Sequence, residues 1–297
     1  MRKAQEHKDK VPTFICKFIE NDEKNYHNLC VVVGREKEIC PHPKIEILPG
    51  DFETEMIKLL DIYDDKLPPT FCFIDPFGFD APFTVIKRLM AIPRTEIFFN
   101  FMLRDINRFL SSSKHHEALS NLFGTDKWKE YGDGSLSPYE RESGLVNLYR
   151  QQLHEDAEVK YTMPFMVRMP EKKQTAYYLI HATNSFDGFK IMKDIMSLKS
   201  SGEIFGYMGP EDGQTSLGNF DLTPLQNNLL RIYAGQTIPF DDIIYNSYNI
   251  EEIIQYREKD YREVLKGLEK DGIIRVERVT SKLTGKGLRK RDRVIFP

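Results

Sequence analysis

The chain has 297 residues, of which 40% are apolar and 29% charged, with a formal net charge of −3. That apolar content supports one large domain or two smaller ones, and the near-neutral balance excludes a globally basic nucleic-acid binder. The balance conceals a gradient, because Lys282, Lys286, Arg289, Lys290, Arg291 and Arg293 crowd the last stretch with Asp292 alone opposing them. Met1 to Lys10 is charged and no long apolar segment follows it, so we expect neither a signal peptide nor a membrane span, and a cytoplasmic location.

Thr13 to Ile19 reads as a buried strand ending at Glu20, with a helical segment through Leu29 behind it. Lys44 to Leu48 is a second strand, closing on Pro49-Gly50-Asp51. Met56, Ile57, Leu59, Leu60 and Tyr63 then recur at helical spacing. Thr70 to Ile74 is a third strand that stops at Asp75-Pro76-Phe77-Gly78. Pro82 opens a helix lined by Phe83, Ile86, Leu89 and Met90, and Glu96 to Met102 is a fourth strand. Four apolar strands alternating with amphipathic helices predict a parallel sheet covered on both faces.

Between about residues 104 and 160 the pattern turns to polar helical segments broken by Gly124, Gly132, Gly134 and Pro138, which predicts a helical insertion beyond the strand ends. Phe165 to Met169 and Ala176 to Ala182 are close enough to pair as an antiparallel hairpin. Asp187 to Leu198 is a closing helix with Phe189, Met192, Ile195 and Met196 inward. Residues 1–200 thus read as one α/β domain and 201–221, rich in Gly, Ser and acidic residues, as a linker.

Residues 222–297 read as a second domain. Leu225, Leu229, Leu230 and Tyr233 mark one helix, Ile243 to Tyr248 a shorter one, and Tyr261, Val264, Leu265 and Leu268 a third ending at Asp271-Gly272. Two strands, Ile273 to Val279 and Arg293 to Phe296, flank a tip containing Gly285-Lys286-Gly287. Three helices followed by a hairpin predict a winged helix.

The strand ends are the first place to look for chemistry, because open α/β sheets bind ligands at the carboxyl edge of their strands. Glu20, Asp51 and Asp75 all stand there, and each serves equally well as a solvated cap. Phe77 and Phe79 read either as a stacking surface beside Asp75 or as core residues, with Asp75 capping the next helix. The four cysteines form no CxxC pair, so they read as reduced, structural thiols and we expect no metal site. In the hairpin, Lys282, Lys286, Arg289, Lys290 and Arg291 suit phosphate contacts beside a groove. The third helix of this domain carries Glu258, Asp260, Glu263 and Glu269 beside Lys259, Arg262 and Lys266, a mixed surface that argues against base reading.

Asp75-Pro76-Phe77 resembles the Asp-Pro-Pro-Tyr/Phe signature of S-adenosylmethionine-dependent amino-methyltransferases, with Phe77 in place of the second proline. More broadly, FIENDEKNYHNL from Phe18, IDPFGF from Ile74, NLFGTDKW from Asn121, YYLIHATNSFDGFKIMKDIM from Tyr177 and YREVLKGLEKDGIIRV from Tyr261 resemble the three-Cys-motif partner protein family of prokaryotes. The resemblance implies a Rossmann-like class I methyltransferase sheet with a C-terminal winged helix-turn-helix, acting on nucleic acid together with a Cys-rich partner protein. It implies S-adenosyl-L-methionine as cofactor, with Glu20 on the ribose, Asp51 and Phe52 near the adenine, and Asp75, Pro76 and Phe77 at the target amine. The family carries a Gly-rich loop after its first strand, whereas this sequence has no glycine before Gly34, so the first strand is expected to be missing. Either that strand lies upstream of Met1, or another segment fills its place, or the domain is a catalytically degenerate scaffold that binds nucleic acid or protein.

Overall fold

A computed structural model of the chain describes residues 14–39, 44–64, 66–76, 78–132, 134–169, 174–200, 205–207, 221–279 and 288–297. The N-terminal part alternates strand and helix: β1 (Ile15–Glu20), α1 (Glu23–Ile39), β2 (Lys44–Pro49), α2 (Phe52–Ile62), β3 (Thr70–Ile74), α3 (Phe83–Ala91) and β4 (Thr95–Phe101). Each strand is short, apolar and closed by a polar turn, and the helices between them bury one stripe each. In α3 the buried stripe is Phe83, Val85, Ile86, Leu89 and Met90.

The expected single parallel sheet is corrected by the pairing. β1 runs parallel to β2, β3 runs parallel to β4, and among the described residues no strand joins the two pairs. The β3–β4 pair continues instead into β6 (Gln174–Thr183), β5 (Tyr161–Met169) and β7 (Gly206–Tyr207), in the order β3-β4-β6-β5-β7. β6 is antiparallel to both its neighbours and pairs with β5 as the expected hairpin. The two pairs are nevertheless held on one layer of helices. α2 touches β1 and packs against α3, and Ile19 of β1 joins the core cluster that contains Met56, Leu60 and Ile74.

Residues 103–155 hold α4 (Leu103–Phe109), α5 (His116–Phe123) and α6 (Pro138–Glu155), with 3-10 turns at Ser113–His115 and Lys127–Tyr131. A reciprocal cap starts α6, in which the Ser137 hydroxyl accepts from the Glu140 N–H and the Glu140 carboxylate accepts from the Ser137 N–H. These helices cover one sheet face, where the sequence placed them beyond the strand ends. The Tyr149 ring stacks on Phe99 at 5.2 Å and lies 5.2 Å from Phe101, and Trp128 and Phe123 are buried in the same cluster.

The other sheet face carries α7 (Phe186–Lys199) and, against it, the C-terminal part. That part runs α8 (Thr223–Ile232), β8 (Thr237–Pro239), α9 (Phe240–Ser247), a 3-10 turn at Glu251–Ile253, α10 (Glu258–Lys270), β9 (Arg275–Glu277) and β10 (Arg293–Ile295). The three strands form a small antiparallel sheet in the order β8-β10-β9, and β8 escaped the sequence reading because three residues leave no periodicity to read. One apolar cluster runs from Tyr161, Met163, Phe165 and Val167 of β5 through Phe189 and Met196 of α7 to Leu225, Phe240, Tyr248, Tyr261 and Leu265. Lys193 is buried in this contact. Its ammonium donates to the Tyr248 carbonyl at 2.9 Å and lies 3.7 Å from the centre of that ring, while burial pushes its pKa well below the usual lysine range. Phe189 and Met196 point inward as expected, but Ile195 is exposed, together with Ile191 and Leu198.

Candidate functional site

The helix α10 forms because Tyr261, Val264, Leu265 and Leu268 fall at helical spacing and are all buried. Its charges sort themselves by partner. Glu258, at the first turn, accepts from Lys190 of α7 and from Arg262 one turn on. Burial alone raises the Glu258 carboxyl, yet hydrogen bonds from these two cations outweigh it and hold the group below the usual carboxylate range. Asp260 is buried and accepts the Arg257 N–H at 2.7 Å, and Glu269 takes a bidentate pair of hydrogen bonds from Arg278, both at 2.7 Å. The Arg278 hydrogen bonds hold the Glu269 carboxyl below its ordinary range as well.

Three of the four acidic side chains of α10 are therefore engaged within the protein. What faces solvent is Lys259, Glu263, Lys266, Gly267 and Lys270. The charged members are spaced by four, three and four residues, which sets them on one face of the helix. Three ammonium groups oppose one carboxylate there, so the exposed face is basic although the helix composition is mixed.

The hairpin beside it is closed by Asp292. This carboxylate is fully buried and accepts from the Val279 N–H at 3.1 Å and the Arg289 N–H at 2.7 Å, tying together the two strands at the base of the wing. In sequence Asp292 looked like the counter-charge to the basic run, but in the structure it is a hidden clip. Lys290, Arg291, Arg293 and Arg275 are exposed around it. Arg262 bridges helix and wing, with its guanidinium over the Phe240 ring at 4.3 Å and a hydrogen bond to the Leu288 carbonyl. Of the expected wing residues, Arg289, Lys290 and Arg291 are thus placed beside α10, whereas Lys282 and Lys286 lie outside the described residues.

The expected cofactor and target residues are arranged differently. Glu20 ends β1 and Asp51 follows the adjacent parallel strand β2. One Glu20 oxygen accepts the Asp22 N–H at 2.9 Å, and one Asp51 oxygen accepts the Thr54 N–H at 2.8 Å as the cap of α2, which lowers the Asp51 pKa. Phe52 is half-buried against the core of α2 and α3. Asp75 is exposed after β3 and accepts from the Asn100 side-chain amide at 2.6 Å, at the end of the neighbouring β4. It does not cap the next helix, whose N-cap is Pro82. Phe79 is buried edge-to-face against Phe109, with ring centres 5.9 Å apart, so it is a core residue and no stacking surface for a base. Pro76 is half-buried, Gly78 holds a φ of +68° that glycine adopts freely, and Phe77 lies outside the described residues.

Among the described residues no three His, Cys, Asp or Glu side chains gather as a metal site, and no helix is long and apolar enough to cross a membrane. Cys16, Cys30 and Cys72 carry free thiols, and burial pushes that of Cys72 up to about 12; Cys40 lies outside the described residues.

The family model described as a GMT-like wHTH domain matches residues 210–281, which include α8, β8, α9, α10 and β9. No curated protein and no solved structure matches the chain.

Proposed function

We propose that this protein binds nucleic acid through its winged helix, with α10 and the wing gripping the phosphate backbone and little reading of bases. The observation that carries the proposal is the internal pairing of Glu258, Asp260 and Glu269, which leaves Lys259, Lys266 and Lys270 as a basic stripe beside Lys290 and Arg291. Ammonium groups on flexible stems suit phosphates, whereas the base edges of a major groove favour the bidentate forks of arginine or an amide. Among the exposed residues of α10 there is no arginine, asparagine or glutamine.

The α/β part is, in this reading, a methyltransferase-like scaffold. Its support is the parallel β1–β2 pair and the sheet order β3-β4-β6-β5 with an antiparallel hairpin, elements that a class I methyltransferase sheet also contains. The residues proposed for S-adenosyl-L-methionine are partly engaged within the protein. One oxygen each of Glu20 and Asp51 is engaged in holding the turn behind its own strand, and Phe52 packs inward. A second reading, a methyltransferase that works with a Cys-rich partner protein, is favoured by the exposed Asp75 carboxylate held by Asn100 at a strand end.

Two titrations separate the readings. The wild-type chain is expected to bind a 20-base-pair duplex with an affinity that falls steeply with salt. The K259Q/K266Q/K270Q variant should lose roughly 10-fold or more at moderate salt and show a shallower slope, by about 0.9 per phosphate contact removed. Calorimetric titration with S-adenosyl-L-methionine is expected to give no heat, and a micromolar complex would move the conclusion to the second reading. Unchanged duplex binding by the triple variant would refute the proposed interface.

A further inference from the structure

Glycine is a poor residue for the interior of a helix, because its backbone has more freedom to lose on folding than any other. α10 nevertheless carries Gly267 within Glu258–Lys270. Gly267 does not end the helix. The Asp271 N–H still donates to its carbonyl at 2.9 Å, and the left-handed residue after the helix is Gly272, at φ +71°. Nor does packing require it: Gly267 faces solvent, and a Cβ built there meets nothing within 4 Å among the described residues. Gly144 of α6 and Gly188 of α7 show the contrast, since a Cβ at those positions would clash with the Tyr131 ring and with the Glu96 carboxylate. Those two glycines serve the fold, whereas nothing among the described residues asks for one at 267.

The bare position adjoins the basic face. Lys266 precedes it and Lys270 stands one turn on, both exposed. Long side chains on a helix lean toward its N-terminus, so Lys270 reaches back along the helix toward the uncovered main chain at Gly267. The wing lies on the other flank. Arg262 and Glu269, which contact it through the Leu288 carbonyl and Arg278, are about 140° and 160° around the helix from Gly267 by the 3.6-residue turn. A helix with its side chains is about 10–12 Å across and the major groove of B-form DNA about 12 Å wide, so little room is left on either side. With the wing on one flank, a residue lacking a side chain on the other lets the opposite strand close in.

We propose that Gly267 is the point of closest approach to B-form DNA, where a deoxyribose of one strand packs directly on the α10 main chain and the phosphates beside it meet Lys266 and Lys270. The sugar, and not a phosphate, fits the position itself, because Glu263 and Asp271 stand exposed four residues to either side and would repel an anion between them. This inference rests on the nucleic-acid reading and adds a steric requirement to it. Position 267 excludes a side chain when DNA is bound, although alanine would suit the free helix better.

The test titrates a 20-base-pair DNA duplex, at moderate salt, into the wild-type chain, G267A, G267L and G34A. The last is the control, since Gly34 also lies inside a helix, α1, with nothing within 4 Å of an added Cβ among the described residues. Melted without DNA, G267A and G34A should both be more stable than the wild type. G34A should bind as the wild type does, G267A more weakly, and G267L weaker by roughly 10-fold or more, although none of them removes a charge. If G267L melts lower than the wild type, G267A decides, and wild-type affinity in G267A would overturn the inference. Wild-type affinity in G267L, with binding lost in K259Q/K266Q/K270Q, would overturn the close approach and leave the nucleic-acid reading standing, whereas a wild-type chain that binds no duplex refutes both. An RNA duplex of the same sequence whose affinity falls equally in G267L would overturn the assignment to a B-form groove, because the A-form major groove is deep and narrow.

Discussion

The two ends of this chain treat their apolar and charged residues in opposite ways. In the winged helix every large apolar residue of α10 is buried, and three of its four carboxylates have cationic or backbone partners. Around β1 and β3 the reverse holds, with Phe14, Phe18, Phe71 and Phe73 exposed along strands whose second edge has no partner among the described residues. The difference teaches that local pattern makes strands and helices at both ends, whereas a closed core also needs every neighbour present. The C-terminal part has its neighbours, including the sheet through α7 and Lys193. The β1–β2 pair packs against α1 and α2.

The largest expected effect breaks the comparison directly. Leu265→Ala, in the closed core, should cost about 2–5 kcal/mol of stability. Leu48→Ala, in β2, should cost less, at most about 1.5 kcal/mol, because that side chain is only partly buried. Urea denaturation of the two variants reads the contrast, and equal losses would show that β2 belongs to a core as closed as that of α10. Next, Asp292→Ala should cost about 1–3 kcal/mol, since it strands the Val279 and Arg289 N–H groups. It should also weaken duplex binding although it removes a negative charge; tighter binding would mean that Asp292 acts as a counter-charge and does not clip the wing.

A smaller effect appears on acidification. Glu258 is held below its ordinary pKa, so the stability it lends through Lys190 and Arg262 is complete above the ordinary glutamate range. That stability fades as pH falls through the depressed value. Glu258→Gln should therefore flatten the acid side of a melting-temperature profile, and an unchanged acid limb would contradict the pairing. Smallest is Glu269→Gln, where the pair with Arg278 is partly exposed and contributes about 0.2–1 kcal/mol. It frees Arg278, so duplex affinity should hold or rise slightly, and a clear loss of affinity would contradict the assignment.

Much of this was legible in the sequence. The strands at β1 to β4, the β5–β6 hairpin and the three winged-helix helices follow from apolar spacing and from turn residues such as Asp75-Pro76 and Asp271-Gly272. The basic face of α10 was half legible. Arg257 with Asp260 and Glu258 with Arg262 are three and four residues apart and are read from helical spacing. Lys190 with Glu258 and Arg278 with Glu269 are tertiary, and without them α10 looks mixed. Phe79 was ambiguous because its partners, Phe109 and His115, come from the next helices. The break in the sheet was anticipated from an absent glycine-rich turn, but the bare phenylalanines on one face are visible only once the pleat is known.

The most direct test of the proposed interface is lysine-selective acetylation of the 297-residue chain with and without a saturating 20-base-pair duplex, read by peptide mass spectrometry. Protection is predicted at Lys259, Lys266, Lys270 and Lys290, with Lys58 and Lys66 of the α/β part unchanged. Protection concentrated on the α/β lysines, or the same modification of α10 with duplex as without, would contradict the account.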